Sequence, residues 1–390
     1  MTERGSTGLI FDDRYLQHNP GIAPLWGTGE PMPFVDIPLS FTNHRLVMRT
    51  KHLIDYTGLG KQLTRIDPYY ASEDDLLVYH TPEYVERVRQ ICASGGGDTG
   101  EGAPAGRDSY EIALLAAGGA MAAVDAVMEG RVRNAFANIR PPGHHAMANK
   151  GMGFCIFANM VIAAHHARKK HGVERIMIVD WDVHDGNGTQ DAFYSDPSVL
   201  FVSLHQEELY PEGFGALEQT GSDAGVGYTI NLPLPPGSGD ATYLAAFDRI
   251  IVPIADEFRP QLVMVSAGQD ASIQDQLGRM CLTTEAYRRM TQALMDVAER
   301  HAEGRLVVLQ EGGYSETYGP YCSLAIVETL AGTRTNTPEP NPVERIKRQP
   351  HYHSINAAGE EALARIQAQA ARHWASVGEP QSGFPMSHRG

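Results

Sequence analysis

Five short runs of this sequence are apolar without interruption, and they limit what the chain can become. AFANI (135–139), RIMIVD (175–180), VLFVSLH (199–205), QLVMVSA (261–267) and RLVVLQ (305–310) are separated by long intervening stretches. A strand that is apolar on both faces has to be covered on both, which is the habit of parallel sheets held between helices. The stretches near 154–171, 240–258, 283–303 and 318–331 carry the helical apolar period. The pattern predicts an α/β fold: a single doubly wound domain over residues 1–332, with a mostly parallel central sheet flanked by helices.

Other segments are less regular. Residues 1–60 are punctuated by Pro20, Pro24, Pro31, Pro33 and Pro38, and GGGDTGEGAPAG (95–106) is a loop by composition. Both are expected to shape an entrance, with His18, Asp98 and Glu101 as rim contacts. EDDLLVYHTPEYVERVRQICA (73–93) reads as a short strand, a turn at Pro82 and a helix. SYEIALLAAGGAMAAVDAVME (109–129) reads as a helix with Ser109 as its N-cap and Gly130 as its stop. Gly118 and Gly119 inside it cost propensity, so they are expected to admit a close neighbour. Beyond 332 the period is lost and then regained over 358–376, so 333–390 is read as an extension with one helix.

Lys and Arg total 32 against 47 Asp and Glu, a net charge of −15. That balance argues against nucleic acid and anionic membranes as partners. Four cysteines (Cys92, Cys155, Cys281, Cys322) show no CxxC spacing, which fits a reducing compartment. No leader pattern and no unbroken apolar run of about 18 residues is visible, so a cytoplasmic protein is expected. Long loops and the C-terminal helix are compatible with a homodimer or homotetramer.

In an open parallel sheet, ligands bind beyond the carboxyl ends of the strands. The residues just past each predicted strand are therefore informative. His144 and His145 follow the first run, in RPPGHHA, and Asp180, Asp182, His184 and Asp185 close the second, in DWDVHDGNG. Asp270 comes after the fourth, and Tyr314 after the fifth, in EGGY. Asp180, Asp182 and His184 share a face if the strand continues, although DxDxH alone also suits an Asp-rich turn capping a helix. With Asp270 they supply an Asp/His/Asp set, and three protein ligands leave one position open for water, as in catalytic zinc sites. Oxygen-rich ligation also suits Fe²⁺ or Mn²⁺. The paired histidines are read as proton-transfer groups, oriented through their second nitrogens by Asp180 and Asn187. Tyr314 is read as a phenol aimed at a developing oxyanion.

Taken in order, RPPGHHA, GMGFCIFAN, DWDVHDGNGTQDAFY, FVSLHQEELYP, SAGQDAS, LGRMCLTTEAY and EGGYS resemble the histone deacetylase family. The likeness is to its class II-like branch, which holds bacterial histone deacetylase-like and acetylpolyamine amidohydrolases, and it runs from about residue 8 to 332. The resemblance implies an arginase/deacetylase-like fold and a Zn²⁺-dependent amidohydrolase that removes acyl groups from amines. Asp182, His184 and Asp270 would bind zinc, with His145 as general base, His144 paired to Asp180, and Tyr314 polarising the carbonyl. Gly153, Phe154 and Tyr210 would line a narrow substrate tunnel, with Leu277 at its rim. A structural K⁺ would be held by Asp180, the Ser203 hydroxyl and the carbonyls of Asp182, His184 and Leu204. A second K⁺ would use carbonyls of Phe193, Asp196, Val199 and Tyr228.

The chain departs from the family at Asp185, often His, and at Gln269, commonly Phe. Acetyl-lysine peptides, acetylpolyamines and neutral aryl or alkyl amides all fit the implied chemistry as substrates. Two rivals remain: a two-manganese hydrolase of guanidino groups, whose extra ligands would fall on Gly186 and Ser272, and a non-catalytic binder of acylated lysine.

Overall fold

The computed structural model describes residues 6–21, 40–348 and 351–378. Pro24, Pro31, Pro33 and Pro38 lie outside these residues, as does the tail after 378. Eight strands form one sheet and all are parallel: β1 (Thr7–Ile10), β2 (Thr64–Ile66), β3 (Asn134–Ala137), β4 (Ile176–Asp180), β5 (Val199–Gln206), β6 (Thr229–Leu234), β7 (Leu262–Ala267) and β8 (Leu306–Gln310). Their order across the sheet is β6-β5-β4-β7-β8-β3-β1-β2.

Alternation explains why the central strands carry no polar face. Met177 and Val179 of β4, with Val263 and Val265 of β7 and Val308 of β8, enter one core. Ile176 and Ile178, with Met264 and with Val307 and Leu309, enter a second core on the opposite side. Each such side chain contributes roughly 1.5–3 kcal/mol on burial. The first core is closed by helices that include Thr284–His301, Gly319–Leu330 and the run from Asp240 to Phe258, where a π turn (Phe247–Ile251) joins two α segments. The second is closed by α3 (Ser109–Met128) and α4 (Asn159–His171), which follow α1 (Arg45–Tyr56) and α2 (Pro82–Ala93) in the chain.

Helix α3 is long and apolar enough to cross a membrane, but 89% of its most apolar window is buried inside the fold. The absence of an unbroken apolar run had not flagged it, because Glu111 and Asp125 bound the apolar stretch between them. Its glycines do admit close neighbours. A Cβ on Gly118 would strike the carbonyl of Tyr69, and one on Gly119 would strike the Tyr15 hydroxyl. Gly130 is left-handed just past the helix, as its role as a stop requires. Ser109 is the first helical residue rather than the cap, and its hydroxyl accepts from the Gly106 N–H.

Four expectations need correction. Residues 73–93 hold no strand. Ser72 and Asp75 form a capping box that starts a single helical turn at Glu73–Leu76, and Leu77 and Val78 are exposed rather than sheet-bound. The 95–106 segment is a built hairpin in which Gly96–Asp98 pairs with Pro104–Gly106. The region 1–60 contains β1 and α1 as well as loops. The C-terminal helix runs Tyr352–Ala370 and packs onto β6, with Leu363 and Ile366 in the core and the Trp374 indole donating to the Gly227 carbonyl at 2.8 Å.

Candidate active site

The chain leaves β4 toward β5 on one side of the sheet and leaves β7 toward β8 on the other, so the switch point lies between β4 and β7. Strands β4 and β7 pair with Asp180 opposite Ser266, so the segments after them emerge side by side. Asp182, His184 and Asp270 meet there, all buried, with one ligand atom of each within 4.8 Å of the others. His184 Nδ1 lies 3.0 Å from Asp182 Oδ1 and 3.4 Å from Asp270 Oδ2. Asp182 Oδ2 accepts the Gly312 N–H at 2.8 Å, and Asp270 Oδ1 accepts the Val183 N–H at 2.8 Å. Asp270 Oδ2 is buried with no hydrogen-bond partner.

That orphan oxygen is the observation against which a metal can be tested. An unpaired buried carboxylate oxygen costs free energy, and an imidazole with two carboxylates is a donor set suited to a divalent transition ion. Burial pushes Asp270 up to about 8, helped by the charge of Asp182. Burial also works against Asp182, but the imidazoles of His144 and His184 overcome it and hold that carboxyl well below its ordinary range. Burial pulls His184 down, whereas its hydrogen bond to Asp182 and the Asp270 carboxylate 3.4 Å away lift it to about 9. The residues fit a cation.

The two histidines of the Pro-Pro-Gly turn stack at 3.9 Å between ring centroids and differ in their orienting partners. His144 Nδ1 lies 3.0 Å from Asp180 Oδ2, and His145 Nδ1 lies 2.8 Å from Asn187 Oδ1. Burial lowers both. At His144 the carboxylates of Asp182 and Asp180 more than offset it and raise the ring well above its ordinary value. At His145 the neighbouring His144 and His184 add to burial, so the ring is held well below it. The two rings are therefore pushed in opposite directions. Asn187 opens the short helix α5 (Asn187–Phe193), and its amide also donates to the His145 carbonyl at 3.3 Å.

Tyr314 reaches the same space. A side chain on Gly312 would run into Asp270 Oδ2 and Asp182 Oδ2 and lie 3.1 Å from the Tyr314 hydroxyl. Burial and the carboxylates of Asp270 and Asp182 raise that phenol well above its ordinary value, so it stays a donor. Phe154 stands edge-to-face with Tyr314 at 5.8 Å, and Tyr210 packs against His145 at 5.0 Å. Gly153 has φ +47°, and a Cβ on it would meet the rings of His145 and Tyr210. Phe154 also has a positive φ, 69°, a strained setting for a side chain. It is held by its N–H donating to the Gly102 carbonyl at 2.8 Å. The 95–106 hairpin thus braces Phe154.

The rim expectations are only partly met. His18 is buried, with Nδ1 2.7 Å from the Ser109 hydroxyl, so it is no rim contact. Asp98 spends its carboxylate on the N–H groups of Gly100, Gly102 and Ala103. Glu101 is exposed and pairs with Lys150. Leu277 is half-buried in the turn begun by Asp275. Gln269 turns its amide into the fold, toward Gln310 at 2.5 Å and the Ala267 carbonyl at 2.8 Å. Asp185 points away from the ligand cluster toward His205, 3.7 Å away, with both oxygens unpartnered.

Among the oxygens expected to hold potassium, Asp180 and Ser203 are register partners on β4 and β5. The carbonyls of Phe193, Asp196 and Tyr228 each accept one backbone N–H, which leaves each a second lone pair. Leu204 and Val199 lie on β5.

Three functional supports escaped the sequence reading. Glu311 accepts the N–H groups of Gly143 and His144, which fixes the turn carrying both histidines; burial raises it to about 7. Asp275 accepts the N–H groups of Tyr314 and Ser315. Arg140, buried, donates to the carbonyls of Tyr15, His18 and Thr42. Glu311 and Arg140 stand inside motifs already singled out, EGGY and RPPGHHA, which was the available signal; Asp275 had none.

Residues 40–330 match the family model of the histone deacetylase domain. The chain belongs to the histone deacetylase family. It is 44% identical over 344 residues to a histone deacetylase-like amidohydrolase of Pseudomonas aeruginosa, covering 87% of this chain and 89% of the relative. It is 42% identical over 328 residues to a probable deacetylase of Archaeoglobus fulgidus, covering 84% and 86%. The crystal structure of the HDA15 HD domain superposes with a TM-score of 0.82 at 31% identity, over 96% of both chains. The family and these relatives make the chain a hydrolase of the deacetylase and amidohydrolase type.

Proposed function

We propose that this histone deacetylase-family chain is a zinc-dependent deacylase that hydrolyses acyl amides of primary amines, with Asp182, His184 and Asp270 as its metal ligands. The observation that carries the reading is the orphaned, buried Oδ2 of Asp270, 3.4 Å from the His184 imidazole and gathered with Asp182 Oδ2 and the Tyr314 hydroxyl around Gly312. A divalent ion bound there would polarise the substrate carbonyl and bring the pKa of water down to roughly 7; Fe²⁺ would also suit the donor set.

Asn187 Oδ1 accepts from His145 Nδ1, which leaves the Nε2 lone pair of that neutral ring to take a proton from the attacking water. Tyr314 donates its hydroxyl to the oxyanion of the tetrahedral intermediate. His144, its Nδ1 paired with Asp180, gives its Nε2 proton to the departing amine, and exchange with solvent then takes the extra proton from His145 and restores the one His144 gave up. Water is consumed, and a carboxylic acid and a free amine leave. Gly153, Phe154, Tyr210 and Leu277 confine the acyl-bearing arm. The two sets of potassium oxygens would stiffen the strand ends beneath the ligands. Asp185, turned away from the ligand cluster, gives no support to a second catalytic metal.

The decisive experiment measures kcat/KM for acetyl-lysine peptides, acetylputrescine and neutral acetanilides side by side, before chelation, after it, and after Zn²⁺ is restored. Loss and recovery of turnover on at least one amide is expected. Activity that survives full chelation, or absence of turnover on every amide in the metal-loaded protein, overturns the proposal. The reading includes a cytoplasmic location, which four free cysteines favour. It also includes a homodimer or homotetramer, which sedimentation equilibrium tests and a monomer would refute.

A further inference from the structure

The catalytic ligands are not the only imidazole–carboxylate group in the molecule. At the opposite edge of the sheet, where α3 and α4 end before β3 and β4 begin, Asp125 faces His166 and His171. Both Nε2 atoms lie 2.7 Å from the same oxygen, Asp125 Oδ1. The other oxygen, Oδ2, is held by the Tyr69 hydroxyl at 3.1 Å and by Lys170 at 2.9 Å. From this geometry we infer a second divalent transition-metal site, built from Asp125 Oδ1, His166 Nε2 and His171 Nε2.

Three physical features converge on it. A carboxylate oxygen and two imidazole nitrogens already lie within 4.8 Å of one another. A tetrahedral ion with bonds of ~2.0–2.1 Å spaces its ligand atoms roughly 3.3 Å apart, so each nitrogen need move from Oδ1 by only about half an ångström. Next, Tyr69 and Lys170 fix the distal oxygen and leave Oδ1 turned toward the imidazoles, as outer partners orient a ligating carboxylate. Finally, Asp125 lies in the last turn of α3, and His171 is the last residue of α4. The C-terminal ends of both helices meet there and present partial negative charge to a cation.

Two imidazoles select Zn²⁺, Co²⁺ or Ni²⁺ over Mg²⁺ or Ca²⁺. The side chains are 14%, 12% and 7% exposed for His166, His171 and Asp125, so an ion can arrive from solvent and keep water in its remaining positions. Binding moves the Nε2 proton of each neutral ring to Nδ1, and any imidazolium first gives its extra proton to solvent. The ion would clip α3 to α4 on the side of the sheet away from the chemistry.

The test counts metal on the whole protein. Wild type and the His166→Ala/His171→Ala variant are equilibrated with micromolar Zn²⁺, freed of unbound ion and analysed for zinc per chain. The variant should hold one ion fewer and keep the amide turnover of wild type. Excess Zn²⁺ should raise the melting temperature of wild type more than that of the variant, and Co²⁺ should give wild type a visible absorption beyond the one the variant shows. The count is a difference, so it does not depend on what the catalytic ligands hold. Should the alanine variant misfold, His166→Gln/His171→Gln keeps side-chain volume and polarity at both positions. Equal zinc in wild type and a folded variant overturns the site.

Discussion

The two edges of one sheet hold the same ingredients, carboxylate and imidazole, in opposite physical situations. Beyond the strand C-termini, Asp182, His184 and Asp270 are buried, and one carboxylate oxygen has nothing to bond. Beyond the N-termini, His166 and His171 are partly open to water, and both oxygens of the buried Asp125 are engaged. Burial separates them. In a dry site, like charges and an orphan oxygen are costly, and a bound cation would relieve that cost. In the wet site the network closes on itself, and an ion is an option. The comparison ties function to uncompensated burial rather than to residue type.

The sharpest way to break that contrast is to remove a ligand that only the buried site depends on. Asp270→Asn should cost at least about 10³-fold in kcat/KM, because the carbonyl polarisation supplied by a bound ion is worth several kcal/mol. The metal count should fall by one at the same time. An Asp270→Asn enzyme that keeps both its metal and its turnover would end the assignment. Tyr314→Phe should come next, lowering kcat by on the order of 10²–10³ while the metal stays bound, the usual cost of one oxyanion donor.

How much of this was legible depended on whether a signal was local. The five central strands could be read because burial on both faces writes itself as an unbroken apolar run. Three other strands could not. TGLI and TRI are too short to show a pattern, and TINLPL carries Asn231 and Pro233, which β6 tolerates because it is an edge strand. The ligands and both histidines were visible because each comes just after such a strand and lies within a family motif. Asp275 was not: it works by accepting the backbone N–H groups of Tyr314 and Ser315, 39 and 40 residues away. The cluster of Asp125 with His166 and His171 was invisible for the same reason, since only the packing of α3 on α4 brings it together.

A smaller effect sharpens the contrast between the paired histidines. Asn187→Ala removes the acceptor that fixes the His145 tautomer but leaves its ring and the metal ligands in place. Loss of an orienting partner of this kind costs about 10–100-fold. The loss should fall on kcat rather than KM, and Asn187→Asp should change the pH profile, since a carboxylate there would raise the His145 pKa. A pure KM effect in Asn187→Ala would show that the residue shapes the tunnel and leaves the proton transfer alone.

The smallest effect is also the most discriminating, because its sign differs between the two edges. In metal-free protein at pH 7, Asp270→Asn removes a carboxyl that ionises freely in the unfolded chain but is penalised by burial in the folded one. Stability should therefore rise by at least about 1 kcal/mol. Asp125→Asn should instead lower it by about 1 kcal/mol, because Lys170, the partner in its ion pair, is exposed and solvent screens the pair. Burial works against the Asp125 carboxylate, but its bonds to His166, Lys170 and His171 hold its pKa well below the ordinary value. A depressed folded pKa means a contribution that is present above the unfolded value, ~3.9. It is then lost as pH falls through the folded one. The Asp125→Asn penalty should therefore be constant near neutrality and shrink only below about pH 4, as chemical denaturation across that range would show. If both substitutions moved stability in the same direction at pH 7, uncompensated burial could not be what distinguishes the two sites.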